Sequence, residues 1–372
     1  NTMSMVSTSM LSVEAAKRYA GGFDDPARLA SSFAGVAGNT DTNGIIVRGN
    51  APKYVQWKME GIEIPNPNHF GDLKVIGGGA LTALSSQMLA NSDFSTGAFP
   101  AEYNNALSGV FDINLRKGND QKQEHTFQLG IIGIDASSEG PLKKGARSSY
   151  LFNYRYSTLA LLRPVLPENA NSIQYQDLSF KLNFPTRRAG TFTVWGLGLA
   201  DKAFAEAKTD SSLWVYEADK SDDRIEQYTG VAGIRHQYFV NDRTSLHTTL
   251  ATTAGFVDWN TKRMNENGEL RPGSSIDNVT QNIILKSVMN KKFSHRHVNK
   301  TGVVFTGMYY QLQLSNAVEA QQAPAPLVNT SGFSTLLSAY SSSMLSLTDQ
   351  LTLTTGVNAQ LFTLNGNYTL EP

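Results

Sequence analysis

Asn43-Gly-Ile-Ile-Val-Arg-Gly49, Val55-Gln-Trp-Lys-Met-Glu-Gly-Ile-Glu-Ile64, Ser95-Thr-Gly-Ala-Phe-Pro-Ala-Glu-Tyr103 and Leu107-Ser-Gly-Val-Phe-Asp-Ile-Asn-Leu-Arg-Lys-Gly118 are pieces of one stretch, and the fold turns on how they are read. Each apolar run alternates with period two and closes at Gly or Asn, the punctuation of short half-buried strands. Strands are expected at 44–49, 55–64, 91–97 and 109–116, with Ala51-Pro52-Lys53 turning between the first two. Gly78 to Ala90 reads as a glycine turn with a short helix. Upstream, Asp25 caps a helix whose first position is Pro26 and whose end is expected near Gly35. A weaker helix is expected over Ser12 to Ala20, with Ser12 as its cap. Residues 1–11 form a polar lead with no periodicity, expected to be extended or mobile.

From Lys122 onward the texture changes to segments of about ten to fifteen residues that alternate apolar with polar. In Tyr150-Leu-Phe-Asn-Tyr-Arg-Tyr156, tyrosines and Phe152 share one face, while Asn153 and Arg155 lie on the other. Asp177-Leu-Ser-Phe-Lys-Leu-Asn-Phe184 sets Leu178, Phe180, Leu182 and Phe184 against Asp177, Ser179, Lys181 and Asn183. Leu351 to Leu361 repeats the scheme. Short connections (Lys143–Ala146, Pro185–Gly190, Asn241–Arg243, Ser294–His297, Thr348–Gln350) alternate with long polar ones near 157–174, 202–222, 260–275 and 315–332. Apolar-out, polar-in strands with short turns at one end and long loops at the other are the pattern of an outer-membrane barrel. With a tight hairpin near Gly130–Gly133, about eleven strands are expected by Gly366.

The opening stretch resembles the plug domain of TonB-dependent outer-membrane receptors, especially Bacteroidetes-type versions. Val47-Arg48-Gly49 is similar to the family's Ile-Arg-Gly signature, and Glu60-Gly61-Ile62-Glu63 to its Asp-Gly-Val-Pro stretch. Glu102-Tyr103-Asn104-Asn105 and Ser108-Gly109-Val110-Phe111 are similar to its tyrosine-glycine turn and final plug strand. Where the family often carries a second plug arginine, this chain has Ser95-Thr96-Gly97. The resemblance implies an α+β plug domain over 12–118, after the lead at 1–11, and an antiparallel transmembrane β-barrel over 122–372. Plugged transporters have about 22 strands, so about half of such a barrel is expected here, with more strands downstream and a secretory signal upstream. The implied function is binding of a scarce nutrient (chelate, vitamin, peptide or glycan) and its import across the bacterial outer membrane into the periplasm. The implied partners are a TonB-type energy-transducing complex, outer-membrane lipid and the nutrient ligand, with a surface lipoprotein left open.

Composition bounds these expectations. The 372 residues carry 32 basic and 32 acidic side chains, so nothing points to nucleic acid. Charged residues make up 17%, below the soluble average of about 25%. Without cysteine the chain has neither a disulfide scaffold nor thiol chemistry. No apolar run reaches the roughly 18 residues of a membrane helix, which says nothing about barrel strands.

Arg48 is expected to form a salt bridge between plug and barrel wall, as the resemblance implies. Two loops combine aromatics with amides and carboxylates: Pro65–Phe70, offering Asn66, Asn68, His69 and Phe70, and Phe99–Asn105, offering Phe99, Glu102, Tyr103 and Asn104. Both are candidate ligand-binding apices, since recognition concentrates on loops held by a rigid scaffold. The plainer reading is that Phe70, Phe99 and Tyr103 pack the plug against the wall, and that His69 is a solvated loop histidine. His295 and His297 read as solvated turn residues. The acidic residues between Asp201 and Asp223 lack a calcium-loop spacing and read as a solvated loop. No nucleophile elbow, zinc-protease helix or P-loop occurs, so no enzyme, cofactor or metal is expected. The alternative class is a secreted β-sandwich adhesion or glycan-binding module.

Overall fold

The structure, a computed structural model, describes residues 7–11, 25–39, 43–73, 76–130, 133–157, 172–265, 267–317 and 323–372. Its N-terminal part is built on a five-stranded sheet in the order β1-β6-β7-β4-β5. The strands are β1 (Thr8–Leu11), β4 (Val55–Met59), β5 (Ile62–Glu63), β6 (Ser92–Ser95) and β7 (Gly109–Ile113), with β4 and β7 parallel. A separate hairpin joins β2 (Val36–Asn39) to β3 (Gly44–Val47). The core is aromatic. Trp57 stacks on Phe111 at 4.3 Å, Phe94 packs on the same ring at 4.3 Å, and Met59, Met88 and Ile113 fill around them.

Several local expectations are corrected. The polar lead contributes β1, an edge strand pairing Thr8–Leu11 with Ser92–Ser95. The capped helix α1 is Pro26–Ala30 alone, with Asp25 accepting from the Ala27 N–H at 2.8 Å. It stops well before Gly35, because the chain must turn to enter β2. The run 55–64 is two strands, broken by Glu60 and Gly61, both at positive φ. No helix forms between Gly78 and Ala90; that segment holds turns and isolated bridges. The expected helix over Ser12–Ala20 lies outside the described residues.

The remaining strands form one continuous antiparallel sheet of twelve, with neighbours consecutive in sequence: β8 (Glu124–Leu129), β9 (Gly133–Pro141), β10 (Ser149–Ser157), β11 (Ser172–Pro185), β12 (Thr191–Ala205), β13 (Ser221–Asn241), β14 (Thr244–Met264), β15 (Leu270–Ser294), β16 (His297–Asn316), β17 (Ala325–Ser346), β18 (Thr352–Phe362) and β19 (Asn367–Glu371). Eleven are complete before Gly366, and every expected short connection is a turn between neighbours. A two-sheet sandwich is not what forms: one face of this single sheet packs on the N-terminal part, and the other is apolar and open. Strands β13 to β17 run 20–25 residues, longer than the alternation suggested, because they continue beyond the apolar band into polar sequence. This is an α+β plug-like unit set against a large antiparallel barrel wall.

The alternation settles which side chains face inward. On β11, Tyr175, Asp177, Ser179 and Lys181 are buried toward the N-terminal part, while Leu178, Phe180, Leu182 and Phe184 face away. Gly118, at φ +78, carries the chain from one part to the other. A Cβ there would sit 2.4 Å from the Tyr150 carbonyl oxygen, so only glycine allows this close passage.

Candidate functional site

Among the described residues, four side chains of the N-terminal part form ion pairs with charged groups on the inward face. Glu60, held by its turn at the end of β4 and 2% exposed, accepts from Lys181 Nζ at 2.7 Å and Arg235 Nη1 at 3.2 Å. The Leu115 N–H donates to the same carboxylate at 2.9 Å, and Lys181 also donates to the Leu115 carbonyl at 2.8 Å. Glu102 pairs with Lys300. Burial pushes the Glu102 carboxyl up, but the ammonium groups of Lys300 and Lys286 outweigh this and hold it below its ordinary range. Arg116 makes a two-pronged contact with Glu139 of β9 while donating to the Gln87 carbonyl.

The fourth contact is His69. Its Nδ1 lies 2.6 Å from Asp201 Oδ1 and its Nε2 lies 2.9 Å from Asp177 Oδ2, with all three side chains at most 2% exposed. Asp201 also accepts from the Phe70 N–H at 2.8 Å, and Asp177 from Arg155, whose Nη2 reaches the Thr82 carbonyl at 2.6 Å. A neutral imidazole has one N–H and can satisfy only one of these carboxylates; the imidazolium satisfies both. Burial lowers the His69 pKa, but the two aspartates more than reverse this and raise it above its ordinary value.

These contacts redistribute the expected site residues. Among the described residues, Arg48 forms no salt bridge to the wall. It is exposed, at φ +50 in the turn after β3, and makes no ion pair among the described residues. The joints fall to Glu60, His69, Glu102 and Arg116 instead. His69 is not a solvated loop residue, and with both ring nitrogens engaged it has none left for a ligand. Asn68 is 2% exposed and donates to Asn66 Oδ1 at 2.6 Å. Glu102 and Tyr103 are under 9% exposed; the Tyr103 hydroxyl donates to Asp112 at 2.9 Å, and Lys58 Nζ sits 4.6 Å over its ring. Asn104 donates to Ser338 Oγ at 3.0 Å, and Phe99 is half-buried.

The two loops therefore do not share one cavity. Phe99–Asn105 meets the wall at Lys300, near the short Ser294–His297 turn. Pro65–Phe70 meets it at Asp177 and Asp201, nearer the long connections. There, Asn66 and the adjoining Gly71, Asp72 and Leu73 form one side of an open cleft of about 240 Å³. Its other side is the inward face of β13 to β15, including Gln227, Thr229, Trp259 and Asn278. Sequence reasoning missed these wall residues and the buried charges. Asp177 and Lys181 carried a signal, being charges at mid-strand on the polar face of an alternating segment.

A small mixed unit is thus clamped by buried charges to the polar face of a long antiparallel sheet. The comparisons agree at the level of fold. The ferric-catecholate import receptor Fiu of Escherichia coli superposes with a TM-score of 0.67 at 12% identity, covering 95% of this chain and 59% of that one. The siderophore receptor PirA of Acinetobacter baumannii gives 0.65 at 13%, over 98% and 58%. A mutant of the ferric enterobactin receptor of Pseudomonas aeruginosa gives 0.63 at 14%, over 99% and 59%. The chain thus spans 58–59% of the length of these receptors. Neither a protein-family model nor a curated protein matches the sequence.

Proposed function

We propose that this chain is the plug and part of the barrel wall of a TonB-dependent outer-membrane receptor. It binds a scarce nutrient and passes it into the periplasm, with no covalent chemistry. The observation that supports this best is the two-faced wall. Its inward face is polar and ion-paired to the plug, and its outward face carries a predominantly apolar band. On β13 the band lies between the outward-facing Tyr228 and Tyr238, a height of about 25 Å at roughly 3.3 Å per residue and a tilt of about 40°. Above it runs an outward row of Lys202, Glu226, Asp258, Asp277 and Gln313 on neighbouring strands, which belongs outside the hydrocarbon.

In this reading the plug ends and the wall begins between residues 118 and 122. Lipid covers the outward band, and a TonB-type complex draws on the N-terminal side. The narrower placement among Bacteroidetes-type receptors rests on the Val47-Arg48-Gly49 and Glu60-Gly61-Ile62 stretches, and a surface lipoprotein partner goes with it. The test is nutrient accumulation by cells producing the full-length protein, with and without a protonophore. Accumulation that survives collapse of the proton gradient would refute energy-coupled import.

A further inference from the structure

Resting on the import reading, we infer that the cleft between the plug loop Pro65–Leu73 and strands β13 to β15 takes a neutral, polyhydroxylated ligand, a saccharide, and not an anionic metal chelate. Gln227 is 7% exposed, and its Nε2 donates to the Gly71 carbonyl at 2.9 Å. That carbonyl can only accept, so the amide is fixed with Oε1 turned the other way, where the oxygen is buried without a hydrogen-bond partner. A buried acceptor without a donor is destabilising, and a donor that reached it would relieve that cost. A sugar hydroxyl in the cleft carries such a donor.

The rest of the cleft matches. Thr229 and Asn278 line it with side chains that make no hydrogen bond among the described residues, so they offer further neutral donors and acceptors. Trp259 provides an aromatic face whose plane is set by its Nε1 donating to Asp223 Oδ1 at 3.0 Å, and Thr261 anchors the same carboxylate at 2.6 Å. A fixed indole beside amides and hydroxyls suits the apolar face and equatorial hydroxyls of a pyranose ring. Charge argues the same way. Asp72 is the only charged residue among the described lining residues, and its carboxylate is held by Asn66 at 3.1 Å and the Gly77 N–H at 2.6 Å. An anionic chelate would meet that negative charge with no Lys or Arg in the described lining to offset it.

The experiment is titration calorimetry on the full-length protein in detergent micelles, with three probe sets: neutral oligosaccharides (malto-, cello- and xylo-hexaose), a ferric tris-catecholate chelate, and a neutral hexapeptide. Binding is expected from at least one oligosaccharide. Its Kd is expected to rise tenfold or more in Trp259→Ala and in the near-isosteric Gln227→Met, and to be unchanged in Asp258→Asn on the outward face. Circular dichroism and heat-modifiable migration establish that each variant is folded. Binding of only the chelate or the peptide, binding of nothing, or oligosaccharide binding indifferent to both cleft substitutions overturns the saccharide assignment. The two proposals separate: a chelate that binds and accumulates with energy dependence leaves import standing and removes the saccharide, whereas a saccharide that binds at the cleft but does not accumulate does the reverse.

Discussion

Replacing Glu60 by Gln removes one negative charge from a buried joint between plug and wall that gathers two cations. The glutamine keeps an oxygen for the Leu115 N–H, so the backbone contact survives and the effect isolates charge. Lys181, 11% exposed, is left with the Leu115 carbonyl alone. Arg235, 26% exposed, retains His247 and partial solvent. Breaking a buried pair from one side costs about 3–5 kcal/mol. Because the arginine can rehydrate, the lower end applies, about 3 kcal/mol. A second substitution tests the origin of that loss. Glu60→Gln with Lys181→Met removes the stranded ammonium, and buried ion pairs replaced by neutral groups of similar size are often near neutral, so recovery to within about 1 kcal/mol of the parent is expected. The assay is urea unfolding of the full-length protein in micelles, read by protease release of the plug. A single variant within about 0.5 kcal/mol of the parent, or a double variant no better than the single, would refute the claim that this charge is buried and paired.

The His69 clamp carries a pH signature. Its pKa is raised on folding, so its stabilisation is full below the ordinary histidine value of about 6.5 and fades as pH climbs through the raised folded value. Protease release of the plug should therefore quicken at alkaline pH in the parent, and a flat profile there, or one unchanged in His69→Ala, would count against the clamp. Phe180→Arg, on the outward face of β11, should cost about 2–4 kcal/mol in lipid vesicles, and Asn183→Arg on the inward face clearly less; equal losses would misplace the apolar band. Gly118→Ala should destabilise docking by about 1–3 kcal/mol, since it adds both a positive-φ strain and a clash, and a neutral outcome would show that the passage is looser than drawn.

The wall was legible because its code is local. Period-two alternation and the contrast between short and long connections repeat in every hairpin, so Phe180 and Lys181 could be assigned to opposite faces without any knowledge of neighbours. The plug was only half legible. Its strands follow from punctuation, but the Glu60–Gly61 turn hid inside an apparently continuous run, and β1 looked like a lead because its partner lies more than eighty residues away. The site was least legible. Whether His69 is solvated or locked depends on Asp177 and Asp201, more than a hundred residues downstream, and nothing around Pro65–Phe70 encodes their arrival. Arg48 shows the converse: a motif gives the residue, while the partner's position decides its role.

The order of the five-stranded sheet bears on how it would yield under load. Tension applied from upstream of Thr8 enters at β1, an edge strand joined to the rest by four residue pairs with β6. Deeper in the sheet, β4 and β7 run side by side in the same direction, with Glu60 and its two cations at the end of β4. The sheet is thus graded, with a seam that parts early at the margin and a fastened middle. A pull would peel one border first and lengthen the chain before straining the fastenings. Extension and release become successive events with separate thresholds.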